Sequence, residues 1–557
     1  MNADIHTAYQ GCPGTGKTTT LMDVLADEIE SGTGVEDIAA STFRRSMAAE
    51  FKERAAEKVE IPDQNYFGTT HSLCYHLIGT PEVISETQKA EFCERLGLTY
   101  TGPETGVESD VGSVVLDENI GNVMFSSREY CINAETDPDK AMREGNLDVS
   151  QRVAVDRAPV SGFEEFNAEY ERFKDEQGVV DFHDMFLLVL DQGLVPNVDV
   201  LIEDEFQDKT PLQVSVFEMW ADEIDRVYVA GDVFQSIQGW AAAKPEHMIE
   251  ALEQADEAVT LDTSYRFGPE LWDYATDILE RAYRRSDIEI PDIEPVGESS
   301  VERLSFSEYR NEVKRRKAEE SLHLLRAGYM SDSPASALKS AGVPFSSPRG
   351  ARWTEKMIDA YNGIVRVTNA AAASGNDFGG VTVKVDLSGM SLEEAYRAAE
   401  ALRASNLRGT KKSTVSTLED ALDEESDTGR GDLNMLKMFS PGDIADNMDG
   451  QNPFGSTLLT KATNGLDRME SAYNELDGAL ITEVNHEVRT IHAAKGKEAK
   501  NVYLFDGISP AVAEEHEGFS HRSKAEARVF FVGATRAIDN LFVVDYPDKP
   551  KFKLPGV

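Results

Sequence analysis

The sequence predicts an α/β protein built on parallel sheets, and three observations carry that reading. A glycine-rich turn near the start lies between a short strand pattern and an amphipathic helix pattern. A β-branched run further on ends in paired carboxylates. Strand and helix patterns then alternate, apart from two long interruptions. At 557 residues the chain exceeds what one core organises, which predicts three to five domains.

The turn is Gly11-Cys12-Pro13-Gly14-Thr15-Gly16-Lys17-Thr18, a complete G-x-x-x-x-G-K-T phosphate loop, followed by Thr19. Ile5 to Tyr9 reads as its strand, and Lys17 to Ile29 as its helix, with Leu21, Val24, Leu25 and Ile29 on one face. The glycines let backbone N–H groups turn onto phosphate oxygens at a helix N-terminus. Lys17 is the residue to neutralise the β- and γ-phosphates, and the Thr18 hydroxyl is a ligand for Mg²⁺. ATP and Mg²⁺ are therefore the expected cofactors.

The partner acid has to end another buried strand. Val198 through Glu203 supplies a β-branched run, and Asp204-Glu205-Phe206-Gln207-Asp208 follows at its carboxyl edge, where α/β sheets place ligands. Asp204 is expected to hold Mg²⁺ with Thr18, and Glu205 to orient and deprotonate the attacking water. Thr210-Pro211-Leu212-Gln213 reads as a capped helix start with Pro at its first position. Loop and acidic strand together define a P-loop NTPase.

Composition bounds the rest. Asp and Glu number 100 against 55 Lys and Arg, a formal charge of −45, which ordinarily argues against a polyanionic partner. The acid is spread along the chain, Lys is scarcer than Arg, and apolar periodicity persists. These details favour a surface adapted to very high salt, where screening over ~3 Å at 1 M makes self-repulsion tolerable. Cys12, Cys74, Cys93 and Cys131 lack paired metal-type spacing, so reduced, buried thiols are expected. No apolar run approaches a membrane span and no secretory leader pattern opens the chain, which predicts a cytoplasmic protein with no membrane partner.

Further segments follow in a recognisable order. Ser41-Thr42-Phe43-Arg44-Arg45, Phe67-Gly68-Thr69-Thr70-His71-Ser72 and Val180-Asp181-Phe182-His183-Asp184-Met185 precede the acidic strand. Val229 to Trp240, Leu261 to Arg266, Thr490 to Glu498 and Glu526 to Ala537 come after it. With Asp204-Glu205-Phe206-Gln207-Asp208 they resemble the ordered motifs of superfamily 1 helicases. The Gln235-Ser236-Ile237 stretch with Trp240, and the Thr535-Arg536-Ala537 ending, point to the UvrD/Rep/PcrA-like branch.

That resemblance implies two RecA-like P-loop NTPase domains with parallel sheets, each carrying a largely helical insertion. It implies Gln235 as the γ-phosphate sensor, with Arg266 and Arg536 as arginine fingers supplied across the cleft from the second domain. Tyr265 would stack on the nucleotide base, although a core aromatic competes for that residue. Glu498 would contact the ribose, with a solvated helix-start carboxylate as its competitor. Trp240 is the expected base-stacking residue, and Thr42, Phe43, Thr70, His71, Thr490 and His492 join the nucleic-acid track. His71 equally suits a satisfied interior histidine.

The expected layout is a first motor domain at 1–72 and 180–285 with an insertion at 73–179. A second motor domain follows at 286–352 and 484–557 with an insertion at 353–483. Within that second insertion Ser391 to Ala404 reads as a capped amphipathic helix, and Arg403, Arg408, Lys411 and Lys412 form a small basic cluster. No nuclease or docking domain is expected after the last strand. Two departures from the family stand out. Ten residues precede Gly11, so no counterpart of the family's upstream adenine-reading Gln motif is expected, and Lys497 stands where leucine is usual. The expected activity is that of an ATP-dependent single-stranded DNA translocase and helicase of 3′→5′ polarity. Its expected partners are single-stranded DNA and single/double-strand junctions, and in isolation it is expected to be a monomer. An RNA translocase or protein-displacing motor, or an inactive binding protein, are the alternatives.

Overall fold

The computed structural model describes residues 3–42, 66–102, 120–137, 162–286, 288–341, 343–347, 392–401, 484–510 and 520–556, with short pieces between them. The first sheet comprises β1 (Thr7–Gly11), β2 (Ile38–Thr42), β3 (Tyr66–Thr69), β4 (Val200–Glu203), β5 (Arg226–Gly231) and β6 (Glu257–Leu261). They lie in the order β3-β2-β4-β5-β1-β6, and every pairing is parallel. β2 and β4 are buried at every position, as a sheet covered on both faces requires of its central strands. The register sets Gln10 beside Gly231 and Glu203 beside Val229, so the carboxyl ends of β1, β5 and β4 form one edge.

Among the described residues of the first interruption, helices predominate. Glu86–Arg95, Ile120–Asn133 and Phe163–Gln177 pack on a core of their own. Its rings meet edge to face, with Phe125 and Tyr170 centroids 4.9 Å apart and Phe92 and Phe166 5.3 Å apart. The insertion meets the helix Phe182–Gln192 through a buried ion cluster: Arg128 Nη1 lies 2.9 Å from Asp181, and Lys174 Nζ lies 2.6 Å from Asp184.

A short parallel pair, β7 (Thr263–Ser264) and β8 (Glu294–Pro295), follows the first sheet. β9 (Ser300–Leu304) and β10 (Ser321–Leu325) come next, then β11 (Phe345–Ser346), which pairs in parallel with β12 (His486–Thr490). β13 (Ala499–Phe505) and β14 (Ala537–Val544) complete the set, with β10, β13, β14 and β9 side by side and parallel. Both expected sheets are therefore present and parallel.

The chain divides into two compact units that differ from the expected boundaries. One holds Met1–Tyr309, Glu320–Ser331 and Arg489–Val557; the other holds Arg310–Glu319 and Asp332–Val488. The first sheet and β9, β10, β13 and β14 thus fall in one unit. The physical reason is a continuous apolar core: the helix Pro269–Tyr283 packs on the helix Ser520–Ala534, with Trp272 and Phe531 centroids 6.1 Å apart and Phe234 and Phe531 6.3 Å apart. In the second unit the helix Leu392–Ala401 buries Ala395, Ala398 and Ala399, whereas Ser391 and the basic cluster lie outside the described residues. Among the described residues no helix is long and apolar enough to cross a membrane.

Candidate active site

The site begins where β1 runs out. Gly14 and Gly16 take φ of 80° and 82°, the left-handed region that side chains resist. A Cβ on Gly14 would stand 2.5 Å from Arg266 Cβ, so the loop also needs glycine there for close approach. Gly11 is equally tight, since a Cβ would meet Thr15 Oγ1 at 2.5 Å. The helix Lys17–Glu30 opens without a side-chain cap and without an acid in its first turn. Its N-terminal amides and positive dipole end therefore face the loop uncompensated, which is an anion-binding arrangement. Lys17 is buried and its Nζ donates to Gly11 O at 2.8 Å, folded back over the loop. Thr19 is exposed on the helix's first turn.

β4 delivers the carboxylates. Thr18 Oγ1 donates to Asp204 Oδ2 at 3.0 Å, which brings together a hydroxyl and a carboxylate suited to Mg²⁺. Glu205 follows with φ 55°, a strained conformation for a non-glycine residue, and its amide donates to Asp204 Oδ1 at 2.8 Å. The two acids are driven apart. Burial and the neighbouring Glu205 push Asp204 up to about 6, against Lys17. Burial would raise Glu205 as well, but Lys495 and Lys17 hold it below the usual range. Gln207 Nε2 donates to Glu205 Oε2 at 2.6 Å.

A stability consequence follows from Asp204. Its folded value lies above its unfolded one, so its contribution is fully present below about 4 and is lost as pH rises through about 6. At pH 8 the ionised, buried carboxylate opposes folding. Asp204→Asn is expected to raise the thermal midpoint of the nucleotide-free protein at pH 8 and to leave it nearly unchanged at pH 4. A midpoint lower than wild type at pH 8 would contradict this.

The end of β5 leads into Gln235, the residue expected to sense the γ-phosphate. Asp232 is fully buried and accepts from Gln235 Nε2 at 2.7 Å, while Gln207 Oε1 takes the Asp232 amide at 2.8 Å. Gln10 Nε2 also points to Asp232, at 3.5 Å, so Gln10 is turned into the sheet edge. Gln235 Oε1 accepts from Arg536 Nη2 at 3.1 Å, which joins the first sheet to the segment before β14. Burial, and then the nearby Arg266, push Arg536 down to about 9. Two guanidinium groups close together in a dry site mark a position built for a polyanion.

Arg266 corrects one expectation. It is not supplied from the second domain: Tyr265 N donates to Gly14 O at 3.0 Å and Ser264 Oγ donates to Pro13 O at 2.8 Å, so this segment is stitched to the phosphate loop. Arg266 Nη1 reaches Thr535 O at 3.2 Å, and its Nη2 pairs with Glu498 at 2.7 Å. Glu498, the residue expected at a ribose, is thus the ion-pair partner of this arginine. Tyr265 is 72% exposed beside the loop, which excludes the core-aromatic reading.

The expected nucleic-acid residues separate into two groups. Trp240 is 55% exposed on the turn Gly239–Ala241. His71 packs against Phe186 and Phe182, with centroids 4.3 Å and 5.8 Å away, and Phe182 is itself exposed. Thr42 and Thr70, by contrast, are buried and offer no surface in this structure. Thr42 ends β2 beside Thr69 of β3, and Thr70 opens the helix Thr70–Leu77 with its hydroxyl against Ser41 and Lys209. Thr490 is buried and accepts the Ala493 amide at 3.2 Å, and His492 is half-buried in the same turn. Phe43 lies outside the described residues.

Sequence reading missed Lys495 as a site residue. Its buried Nζ lies 3.0 Å from Glu205 Oε2, donates to Gln235 O at 2.8 Å, and also bonds Asp208 Oδ2. Asp232 and Gln207 were missed as well. The only signal available was their place inside matched motifs. All four cysteines are buried and free, as expected.

Residues 9–256 match the model of the UvrD/REP helicase N-terminal domain, and residues 457–546 match that of the UvrD-like helicase C-terminal domain. The chain belongs to the UvrD/REP helicase family. Its two parallel sheets are the two RecA-like domains of that family. The ATP-dependent DNA helicase PcrA of Staphylococcus epidermidis (strain RP62A) is 25% identical over 297 residues, covering 49% of this chain and 37% of that protein. The PcrA of Staphylococcus aureus (strain Mu50) is likewise 25% identical over 297 residues, with the same shares of 49% and 37%. The matched stretch is thus little more than a third of those relatives' own length.

Proposed function

We propose that this chain is an ATP-dependent motor that moves along single-stranded DNA and unwinds duplex at single/double-strand junctions in the 3′→5′ sense. The observation that supports it best is the convergence at one site of Lys17, Glu205 and Gln235 with Arg536 from the helix-to-β14 segment. A hydrolytic site bridged in this way links phosphate chemistry to movement of one sheet against another.

The residues fit Mg-ATP. Thr18 and Asp204 would hold Mg²⁺, whose charge neutralises the bridging phosphate oxygens when bound. Lys17 exchanges Gly11 O for phosphate oxygen. Tyr265 offers an exposed face to the base. Glu205, depressed in pKa and so ionised at neutral pH, orients and deprotonates water once Lys495 yields its carboxylate. Gln235 and Arg536, already bonded to each other, read the terminal phosphate as a unit. Arg266 adds a second guanidinium to the developing charge.

Trp240 carries the strand contact. Aromatic–base stacking contributes ~1–3 kcal/mol per base and does not depend on counterion release, which suits a chain of charge −45. The test is ATP hydrolysis in molar KCl without polymer, with single-stranded DNA and with RNA, followed by unwinding of 3′- and 5′-tailed duplexes. Single-stranded DNA is expected to stimulate hydrolysis. Trp240→Ala should weaken half-saturation by DNA about 5- to 150-fold while unstimulated kcat holds. Stimulation by RNA alone would overturn the DNA reading. Hydrolysis indifferent to both polymers would overturn the motor.

A further inference from the structure

Two charged residues bracket the catalytic loop and take part in none of the steps above. β4 ends at Glu203, the loop from Asp204 to Asp208 follows, and Lys209 stands at its far end before the helix Pro211–Ala221. Glu203 is 0% and Lys209 4% exposed, and Lys209 Nζ lies 3.0 Å from Glu203 Oε2. The same ammonium donates to Thr70 Oγ1 at 3.0 Å. Ser41 Oγ donates to Glu203 Oε2 at 2.5 Å and lies 3.1 Å from Thr70 Oγ1. Glu203 Oε1 has no hydrogen-bond partner among the described residues. Four side chains, from β2, from the start of the helix Thr70–Leu77 and from both ends of the loop, therefore close a ring in a dry site.

An apolar pair would fill this space at lower desolvation cost than a buried ion pair with an unsatisfied oxygen. What an apolar pair lacks is direction. An ammonium shared between a carboxylate and a hydroxyl fixes both the span of the loop and its position against its neighbours. Within that span Glu205 is held in a left-handed conformation that a non-glycine residue keeps only where its surroundings impose it.

We propose that Glu203 and Lys209 are a positioning pair, a clasp that holds the ends of the catalytic loop so that Glu205 keeps its hydrolytic geometry. The same clasp ties the loop to Ser41 and Thr70. The proposal rests on the reading of this site as one that hydrolyses ATP.

The experiment measures kcat and KM for Mg-ATP, with and without single-stranded DNA, together with the thermal midpoint of each protein. The full chain is compared as wild type, Lys209→Arg, Lys209→Met and the double variant Glu203→Leu with Lys209→Met. Lys209→Met leaves a buried carboxylate unpaired, so kcat is expected to fall about tenfold or more while KM changes less than twofold. Lys209→Arg keeps the charge and should retain most of the activity. The double variant should regain the wild-type midpoint without regaining kcat. A double variant that recovers both would make the pair merely structural and overturn the clasp, as would a rise in KM at unchanged kcat. A wild type that hydrolyses ATP but ignores DNA would overturn the motor reading, while the unstimulated kcat values still decide the clasp. A wild type without any hydrolysis would overturn both.

Discussion

Glu205→Gln is expected to bind Mg-ATP as wild type does and to lower kcat by about 10²–10⁴-fold, the range a positioned general base contributes. The substitution keeps shape and length, so the left-handed backbone at φ 55° is undisturbed and one side-chain oxygen remains for Gln207 Nε2. What it removes is the anion. In wild type that anion is secured by Lys495 and Lys17 against the effect of burial, which places it below the usual carboxylate range and keeps it ionised at neutral pH. Single-turnover hydrolysis and titration with a fluorescent nucleotide separate the chemical step from binding. A variant retaining more than about a tenth of wild-type kcat would remove Glu205 from the role of base, because a contribution smaller than that is not general-base catalysis.

Lys495→Met is expected to lose about 3–5 kcal/mol of stability at neutral pH, since truncating one partner leaves uncompensated charge in a buried site. Burial opposes the ammonium, yet Asp208 and Glu205 raise its pKa, so it is charged throughout the working range. Methionine fills the volume and leaves both carboxylates facing an apolar group. The pH dependence has a definite sign. In wild type Glu205 has a depressed folded value, so its stabilising contribution is present above about 4.5 and is lost as pH falls towards about 2. Without Lys495 the largest lowering influence is gone and Glu205 moves up, so its ionised form destabilises the fold at neutral pH. The gap in thermal midpoint between variant and wild type should therefore be wide at pH 8 and narrow towards pH 4.5. The acid limb of kcat/KM should move to higher pH in the same variant. Equal midpoints at both pH values would show that the lysine is not balancing these acids.

Much of the candidate site was legible because its chemistry is local in the chain. Gly14, Gly16, Lys17 and Thr18 lie within one strand–turn–helix unit, and a turn needing positive φ, an uncapped helix start and a cation can be recognised from adjacent residues. Asp204 and Glu205 were equally readable, because the apolar run Val200–Ile202 shortly before two acids describes a buried strand emptying into a ligand edge. The Thr210 cap with Pro211 formed as read, again within one turn. Trp240 and Tyr265 read as stacking aromatics with a core position as the competitor, and both are exposed.

What failed to appear in the sequence depends on which distant segment arrives next to which. Thr42 and Thr70 carry the right chemistry for a backbone contact, but both are buried in this structure. Glu498 is drawn to Arg266, and Arg266 is held beside Gly14 by the backbone of Tyr265. Lys495 is a lysine among polar residues until the fold sets it between Glu205 and Asp208. The sequence by itself determined two parallel sheets, the phosphate loop and the acid pair. These follow from periodicity and backbone conformation, which act over a few residues. Only the tertiary structure decided the partners of the buried charges, because a charge removed from water is governed by whichever group lies within about 4 Å of it, however far away in sequence.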